Sequence, residues 1–270
     1  MKLLRYAIGE QTYCGVLSGD EIMRLGIRDL RALMMPDAAF VETGVLDKLG
    51  DARVLPPLMP GKILAIGRNY AEHARELENE VPSEPLVFAI MPSAVIGDGD
   101  IIEWEAEMTA QVDWEGELAV IIGQTARKVS EAEAQDFVFG YTVANDISAR
   151  DLQSRDKQWT RAKGLDTFCP LGPAVVSADA IPDPQNLRIV TTVDGVEKQN
   201  GSTADMIFDV RSLIAYLSRA FTLQPGDVIL TGTPSGVGKA QNPPQFLGDG
   251  SVVSVEIDPL GKLTNHCRVL

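Results

Sequence analysis

Continuous apolar runs, punctuated by glycine and proline turns, fill most of this chain, and only a few stretches show helical periodicity. The run Leu118-Ala119-Val120-Ile121-Ile122 predicts a buried strand, and Tyr141-Thr142-Val143-Ala144 predicts a second. Leu213, Ile214, Leu217 and Phe221 form an apolar stripe after Asp209, which predicts a helix. Ser130-Glu131-Ala132-Glu133 has the form of a capping box and predicts another helix over Ala134 to Phe139. Residues 1 to about 57 read as short strands around Gly9, Gly15 and Gly19, followed by a helical stretch near Ile27 to Met34. Pro56-Pro57 and Pro60-Gly61 then break the pattern, which places a small N-terminal α/β domain at 1–57 and a larger, strand-rich domain at 58–270. There is no internal repeat, low-complexity tract or heptad pattern. The predicted class is mainly β with some α, an α+β arrangement.

The chain has 270 residues and is 45% hydrophobic, enough for one substantial core. A net charge of −14 argues against nucleic acid or an anionic membrane as partner, because both are held by basic patches. An anionic ligand must therefore be drawn in by local positive charge. No apolar run is long enough to span a bilayer and no cleavage signature follows the start, so a cytoplasmic protein is expected. Cys14, Cys169 and Cys267 are odd in number and widely spaced, which predicts reduced, buried thiols.

The candidate chemistry lies in three carboxylates. Glu115-Gly116-Glu117 opens the first apolar strand, and period-two alternation puts both Glu side chains on one face. Like charges that close repel unless a cation lies between them. Asp146 follows the second strand, where a helical turn is expected to begin. From Asp146, helical spacing would place Arg150 at i+4 and Gln153 at i+7 on one face. An all-oxygen set suits Mg²⁺ or Mn²⁺ better than Zn²⁺. Upstream, His73 and Glu76 stand at i, i+3, spaced so that the carboxylate orients the ring and raises its basicity. The acidic cluster Glu103, Glu105 and Glu107 reads as a solvated face. The glycines at 232, 236 and 238 do not have nucleotide-loop spacing.

Taken in order, Arg68-Asn69-Tyr70 with His73 and Glu76, Glu115-Gly116-Glu117, the segment Asn145 to Gln153, the segment Trp159 to Pro170 with Lys163 and Thr167, and Thr231 to Gly238 resemble the fumarylacetoacetate hydrolase family from about Gly61 to the C-terminus. The resemblance implies a rolled, mixed β-sandwich and a homodimer formed through the β-rich domain. It implies one divalent cation per subunit, held by Glu115, Glu117 and Asp146. Arg150, Gln153, Lys163 and Thr167 match residues that line the pocket and polarise substrate, and Thr233 matches a position that holds the substrate carboxylate. Tyr70 sits beside Asn69 as in the family, and the resemblance implies that it binds substrate. His73 and Glu76 match a dyad that activates water on a segment closing over substrate, which points to a lid from Ala74 to Ser83. Many relatives carry a lysine after the phenylalanine of the strand before the Pro-Ser-Ala segment, whereas Phe88-Ala89-Ile90-Met91-Pro92-Ser93 has none. A preference for substrates with a second, distal carboxylate is thereby put in question.

The implied substrate is a small 2-oxo acid. A cation in such a site binds its carboxylate and keto oxygens and acts as a Lewis acid toward the enolate formed at C3, with Lys163 and Arg150 supplying positive charge. The leading expectation is hydrolysis of acylpyruvate-type 2,4-dioxo acids, splitting a C–C bond to release pyruvate. The alternative keeps the site and changes the reaction, to decarboxylation of oxaloacetate-like acids or hydration and isomerisation of 2-oxo-alkenoates. The dyad tilts the expectation toward hydrolysis, since decarboxylation needs no activated water.

Overall fold

Gly116–Ile122 lies at the centre of the protein, and every residue of it is buried. Leu118, Val120 and Ile122 face a core shared with Tyr141, Val143 and Val255. Ala119 and Ile121 face the opposite core, with Leu3, Cys14 and Leu230. A strand covered on both faces shows no polar alternation, so its sequence reads as an unbroken apolar run. The computed structural model describes residues 1–270, and its architecture is mainly β.

The large sheet runs in the order Glu42–Lys48, Glu21–Leu25, Gln11–Ser18, Lys2–Ile8, Cys169–Ser177, Val138–Asn145, Gly116–Ile122, Val228–Leu230, Ile63–Gly67 and Leu86–Ile90, with two short strands off this path. A second sheet, Val196–Ser202, Arg188–Val193, Val252–Ile257, Gly261–Val269 and Ile101–Trp104, packs against its central strands. The segment expected as a small N-terminal domain supplies the outer strands of the large sheet. It joins the rest through the antiparallel pairs Lys2↔Val176 and Leu3↔Val175.

Helices are few and short. Val210–Ala220 is the longest, and Asp209 caps it by accepting the Ser212 N–H at 2.7 Å. Leu213, Ile214 and Leu217 are buried as the stripe predicts, but Phe221 lies past the helix end and is exposed. The helix expected over Ala134 to Phe139 is a 3₁₀ turn, Ala134–Phe137, and Val138 and Phe139 already belong to the strand Val138–Asn145. Glu133 does reach back to Ser130, accepting its N–H at 3.3 Å and its hydroxyl at 2.5 Å, but the turn itself has no side-chain cap. Pairing with Gly116–Ile122 claims the chain before an α-helix can propagate. Likewise the stretch near Ile27 to Met34 holds one 3₁₀ turn, Leu30–Met34, with Asp29 as its cap.

The residue between the two glutamates is fixed by the second sheet. A Cβ on Gly116 would lie 2.3 Å from Thr191 Oγ1 and 2.9 Å from Val255 Cγ1. Only glycine allows the strand that carries Glu115 and Glu117 to approach this closely. Gly116→Ala is therefore expected to lower unfolding free energy by about 1–3 kcal/mol, as overpacking does, measured by urea denaturation. An unchanged midpoint and slope would show that the sheets separate at no cost.

Candidate active site

Strand register, not sequence proximity, assembles the carboxylates. Gly116 pairs with Asn145 and Glu117 with Ala144, so the strand entry at Glu115 lies beside the strand exit at Asp146. Two hydrogen bonds lock this junction: Asp146 N–H donates to Glu115 O at 2.9 Å, and Glu115 N–H donates to Asn145 Oδ1 at 3.0 Å. Carboxylate oxygens of Glu115, Glu117 and Asp146 lie within 4.8 Å of one another, and all three residues are buried.

Two buried cations face this cluster. Lys163 Nζ lies 2.7 Å from both Glu115 Oε2 and Asp146 Oδ2. Arg150 Nη1 reaches Glu115 Oε1 at 2.7 Å, and its Nε donates to Asp113 Oδ2, also at 2.7 Å. Burial opposes charge on Glu115, but Lys163 and then Arg150 overcome it and hold the carboxyl down at about 2. Burial, then repulsion from Asp146 and Glu115, pushes Glu117 well above the usual carboxylate range. Asp146 is raised by burial to about 7, against the pull of Lys163. Within the cluster two polar atoms stay orphaned and buried: Asp146 Oδ1, an acceptor, and Arg150 Nη2, a donor. An oxygen-only cluster with mutually repelling members and an orphaned carboxylate oxygen fits a hard divalent cation, held by Glu115, Glu117 and Asp146.

The cluster borders a cavity of about 260 Å³, below the size of a drug-binding pocket and suited to a small ligand. His73, on the helix Ala71–Glu76, forms part of its wall. Its Nδ1 is 2.8 Å from Glu76 Oε1, and Glu76 Oε2 accepts the Gly236 N–H at 2.8 Å. Glu76 thus ties the histidine to the Thr231 to Gly238 loop and leaves Nε2 as the ring nitrogen for a ligand. The same loop donates Gly232 N–H to Glu117 Oε2 at 2.6 Å. Of the stretch expected as a lid, Leu77 and Asn79 contribute to the wall.

Of the residues expected here, Glu115, Arg150, Gln153, Lys163, Thr233 and His73 meet at the cavity. Arg150 and Gln153 do so on the helix Arg150–Arg155, with Arg150 Nη1 donating to Gln153 Oε1 at 3.0 Å. Asp146 is not on that helix. The chain runs through the short strand Ser148–Ala149 first, so the i+4 spacing from Asp146 is not what brings the groups together. Thr167 is not brought to the cavity: its hydroxyl accepts Glu103 N–H at 2.8 Å and donates to Glu103 O at 3.2 Å. Tyr70 is buried behind the wall, its hydroxyl without a partner, and burial followed by the Glu117 charge raises its pKa well above 10. The Thr233 hydroxyl donates to Gly116 O at 2.9 Å and accepts from Gln199 Nε2 at 2.7 Å, tying the loop to the carboxylate strand.

Two supporting residues escape a sequence reading. Asp113 is wholly buried and accepts from Arg150, Gly238 N–H and Lys239 N–H, so it aims the guanidinium and anchors the loop together. Gln199, from the second sheet, accepts Gly116 N–H at 2.9 Å. Asp113 lies only two residues before Glu115, the one signal that could have found it; Gln199 carries none.

The raised carboxyls set a pH dependence. Folded-state values of Glu117 and Asp146 lie above their unfolded ones, so the metal-free fold gains from protonation and loses that gain as pH rises through about 7. A cation must displace those protons. Mn²⁺ binding is expected to release protons near neutral pH and to weaken as pH falls below about 7, measured by calorimetry in buffers of different ionisation enthalpy. Asp146→Asn and Glu117→Gln should abolish binding in a folded protein. Binding that ignores pH, or survives in both variants, would remove the metal site.

Residues 62–268 match the family model described as Fumarylacetoacetate (FAA) hydrolase C-terminal. The chain is 48% identical over 222 residues to Oxaloacetate tautomerase YisK of Bacillus subtilis (strain 168), covering 81% of this chain and 74% of that protein. The solved structure of a fumarylacetoacetate hydrolase from psychrophilic Exiguobacterium antarcticum aligns over 100% of both chains, with 38% identity and a TM-score of 0.92. That of a 5-carboxymethyl-2-hydroxymuconate delta-isomerase from Mycobacterium smegmatis does so with 36% identity and a TM-score of 0.87. With the carboxylate cluster, the dyad and the glycine-containing loop in place, the chain belongs to the fumarylacetoacetate hydrolase family.

Proposed function

We propose that this protein is a metal-dependent tautomerase of oxaloacetate-type 2-oxo acids, interconverting their keto and enol forms. One observation carries the reading: a buried acceptor without a cation, Asp146 Oδ1, and a buried donor without an anion, Arg150 Nη2, belong to a single charged cluster beside a small cavity. That pair of unmet needs fits a cation together with an anionic, oxygen-rich ligand. Mg²⁺ or Mn²⁺ held by the three carboxylates supplies Lewis-acid polarisation of the 2-oxo group when bound.

The protein's own groups account for the proton traffic. His73 Nε2 takes a proton from C3, and Glu76, on the far side of the ring, stabilises the imidazolium that results. Negative charge then develops on the C2 oxygen. Lys163 has three N–H groups, two of them engaged by Glu115 and Asp146, which leaves one for that oxygen. Arg150 Nη2 supplies another donor. Delivery of the same proton from His73 to the C2 oxygen completes the enol, and the reverse path restores the ketone. The proton only moves from C3 to the C2 oxygen, so nothing enters or leaves.

The sequence reading favoured C–C hydrolysis because the dyad can activate water. The dyad serves proton transfer at carbon equally well. The relative named as an oxaloacetate tautomerase and the neighbour named as a delta-isomerase support the alternative reading over acylpyruvate cleavage.

His73→Ala is expected to lower kcat/KM for enol-to-keto conversion of oxaloacetate by about a hundredfold or more, the scale of general acid–base assistance, while Mn²⁺ still binds. Glu76→Gln should fall in the same direction. The decay of enol absorbance under saturating Mg²⁺ gives the rates. Near wild-type conversion in His73→Ala, or acylpyruvate cleavage that outpaces tautomerisation in the unmodified protein, would overturn the proposal.

A further inference from the structure

Four basic side chains besides His73 form part of the cavity wall, against a single carboxylate, Glu115. In a chain of net charge −14 this is a local reversal of sign. The buried acids Asp113, Glu115, Glu117 and Asp146 are matched in charge by Arg150, Lys163 and one divalent cation. Arg68 and Lys239 are left over from that balance, positive charge available to an anionic ligand.

Of the two, Arg68 is the one built into place. Its backbone is in the left-handed region at φ +56°, where a non-glycine residue is strained. Its neighbours enforce that conformation. Asn69 Nδ2 donates to Thr231 O at 2.7 Å and to Phe208 O at 2.9 Å, and Asn69 Oδ1 accepts Phe208 N–H at 2.8 Å. On the other side, Gly67 lies against Trp159 so closely that a Cβ would fall 2.7 Å from the ring. The Arg68 guanidinium then lies 5.8 Å from the Trp159 ring centroid, and Trp159 is itself braced edge-on by Phe88. A guanidinium over an aromatic ring keeps its N–H groups available, and Arg68 makes no ion pair or side-chain hydrogen bond within the protein. Lys239 is exposed and reaches Ser154 Oγ at 3.3 Å. Phe88 lines the same wall.

We infer that Arg68, held over Trp159, is the specificity residue that receives a second, distal carboxylate and so selects 2-oxo diacids over 2-oxo monoacids. This rests on the 2-oxo acid reading above and names the substrate class within it. The test is equilibrium binding by calorimetry to the Mg²⁺-loaded protein, using oxaloacetate and 2-oxobutyrate, each difluorinated at C3 so that neither enolises. The ratio of their dissociation constants isolates the distal group.

The unmodified protein is expected to prefer the diacid. Arg68→Met should reduce that preference about 10- to 100-fold, the scale of a lost charge-assisted pair. Arg68→Gly should do the same without strain, because glycine accepts the left-handed backbone. Arg68→Lys should retain part of the preference. Lys239→Met, at an exposed position, should change it by no more than about twofold. An unchanged ratio in both Arg68→Met and Arg68→Gly, an equal collapse in Lys239→Met, or no preference in the unmodified protein would each overturn the assignment. Diacid preference lost with Arg68 in a protein that fails to tautomerise oxaloacetate would leave the assignment standing and remove the reaction.

Discussion

Three buried carboxylates within 4.8 Å of one another are the constraint on which the rest of this protein turns. In a site shielded from water their repulsion is strong, and a buried charge without compensation costs several kcal/mol. The fold answers in two ways. Lys163 and Arg150 are brought in as permanent internal cations, and Glu117 and Asp146 are pushed toward their protonated forms. Such a cluster is poised: it takes a cation by giving up protons, and it retains enough positive charge to greet an anion.

Everything around the cluster serves to hold it at that point. Gly116 lets the carboxylate strand press against the second sheet, and Gln199 from that sheet accepts its N–H. Asp113 fixes Arg150 and the loop after Val228–Leu230 with one carboxylate. Glu76 joins His73 to the same loop. The loop therefore touches the carboxylate cluster through Gly232, the guanidinium support through Gly238 and the dyad through Gly236. Displacing it would disturb all three at once, which is why so few side chains suffice to build the site.

Chemically, the arrangement is most economical for moving a proton next to a carbonyl. One face offers positive charge to an oxyanion and the other offers a single oriented base. The proteins this chain resembles are named for different activities, a tautomerase, a hydrolase and an isomerase. In this chain the cavity wall carries an arginine, Arg68, beside a tryptophan, Trp159.

The sequence by itself determined the local and the compositional. The apolar runs at Leu118 to Ile122 and Tyr141 to Ala144 are strands because a doubly covered strand can be nothing but apolar. The stripe at Leu213, Ile214 and Leu217 is a helix, and His73 meets Glu76, because i, i+3 and i, i+4 neighbours meet on any helix. Glu115 and Glu117 share a face by the pleat alone. Tertiary structure decided what depends on register and on distant partners. Asp146 joins the glutamates through the pairing of Gly116 with Asn145, not through a helix. The capping box at Ser130 yields only a 3₁₀ turn because sheet pairing takes the chain at Val138. Thr167 goes to Glu103, and Gln199 comes to Gly116, for reasons of packing that no local spacing encodes. Arg68 is set apart by its left-handed backbone and the ring beside it, because strain and unmatched charge are properties of the folded surroundings.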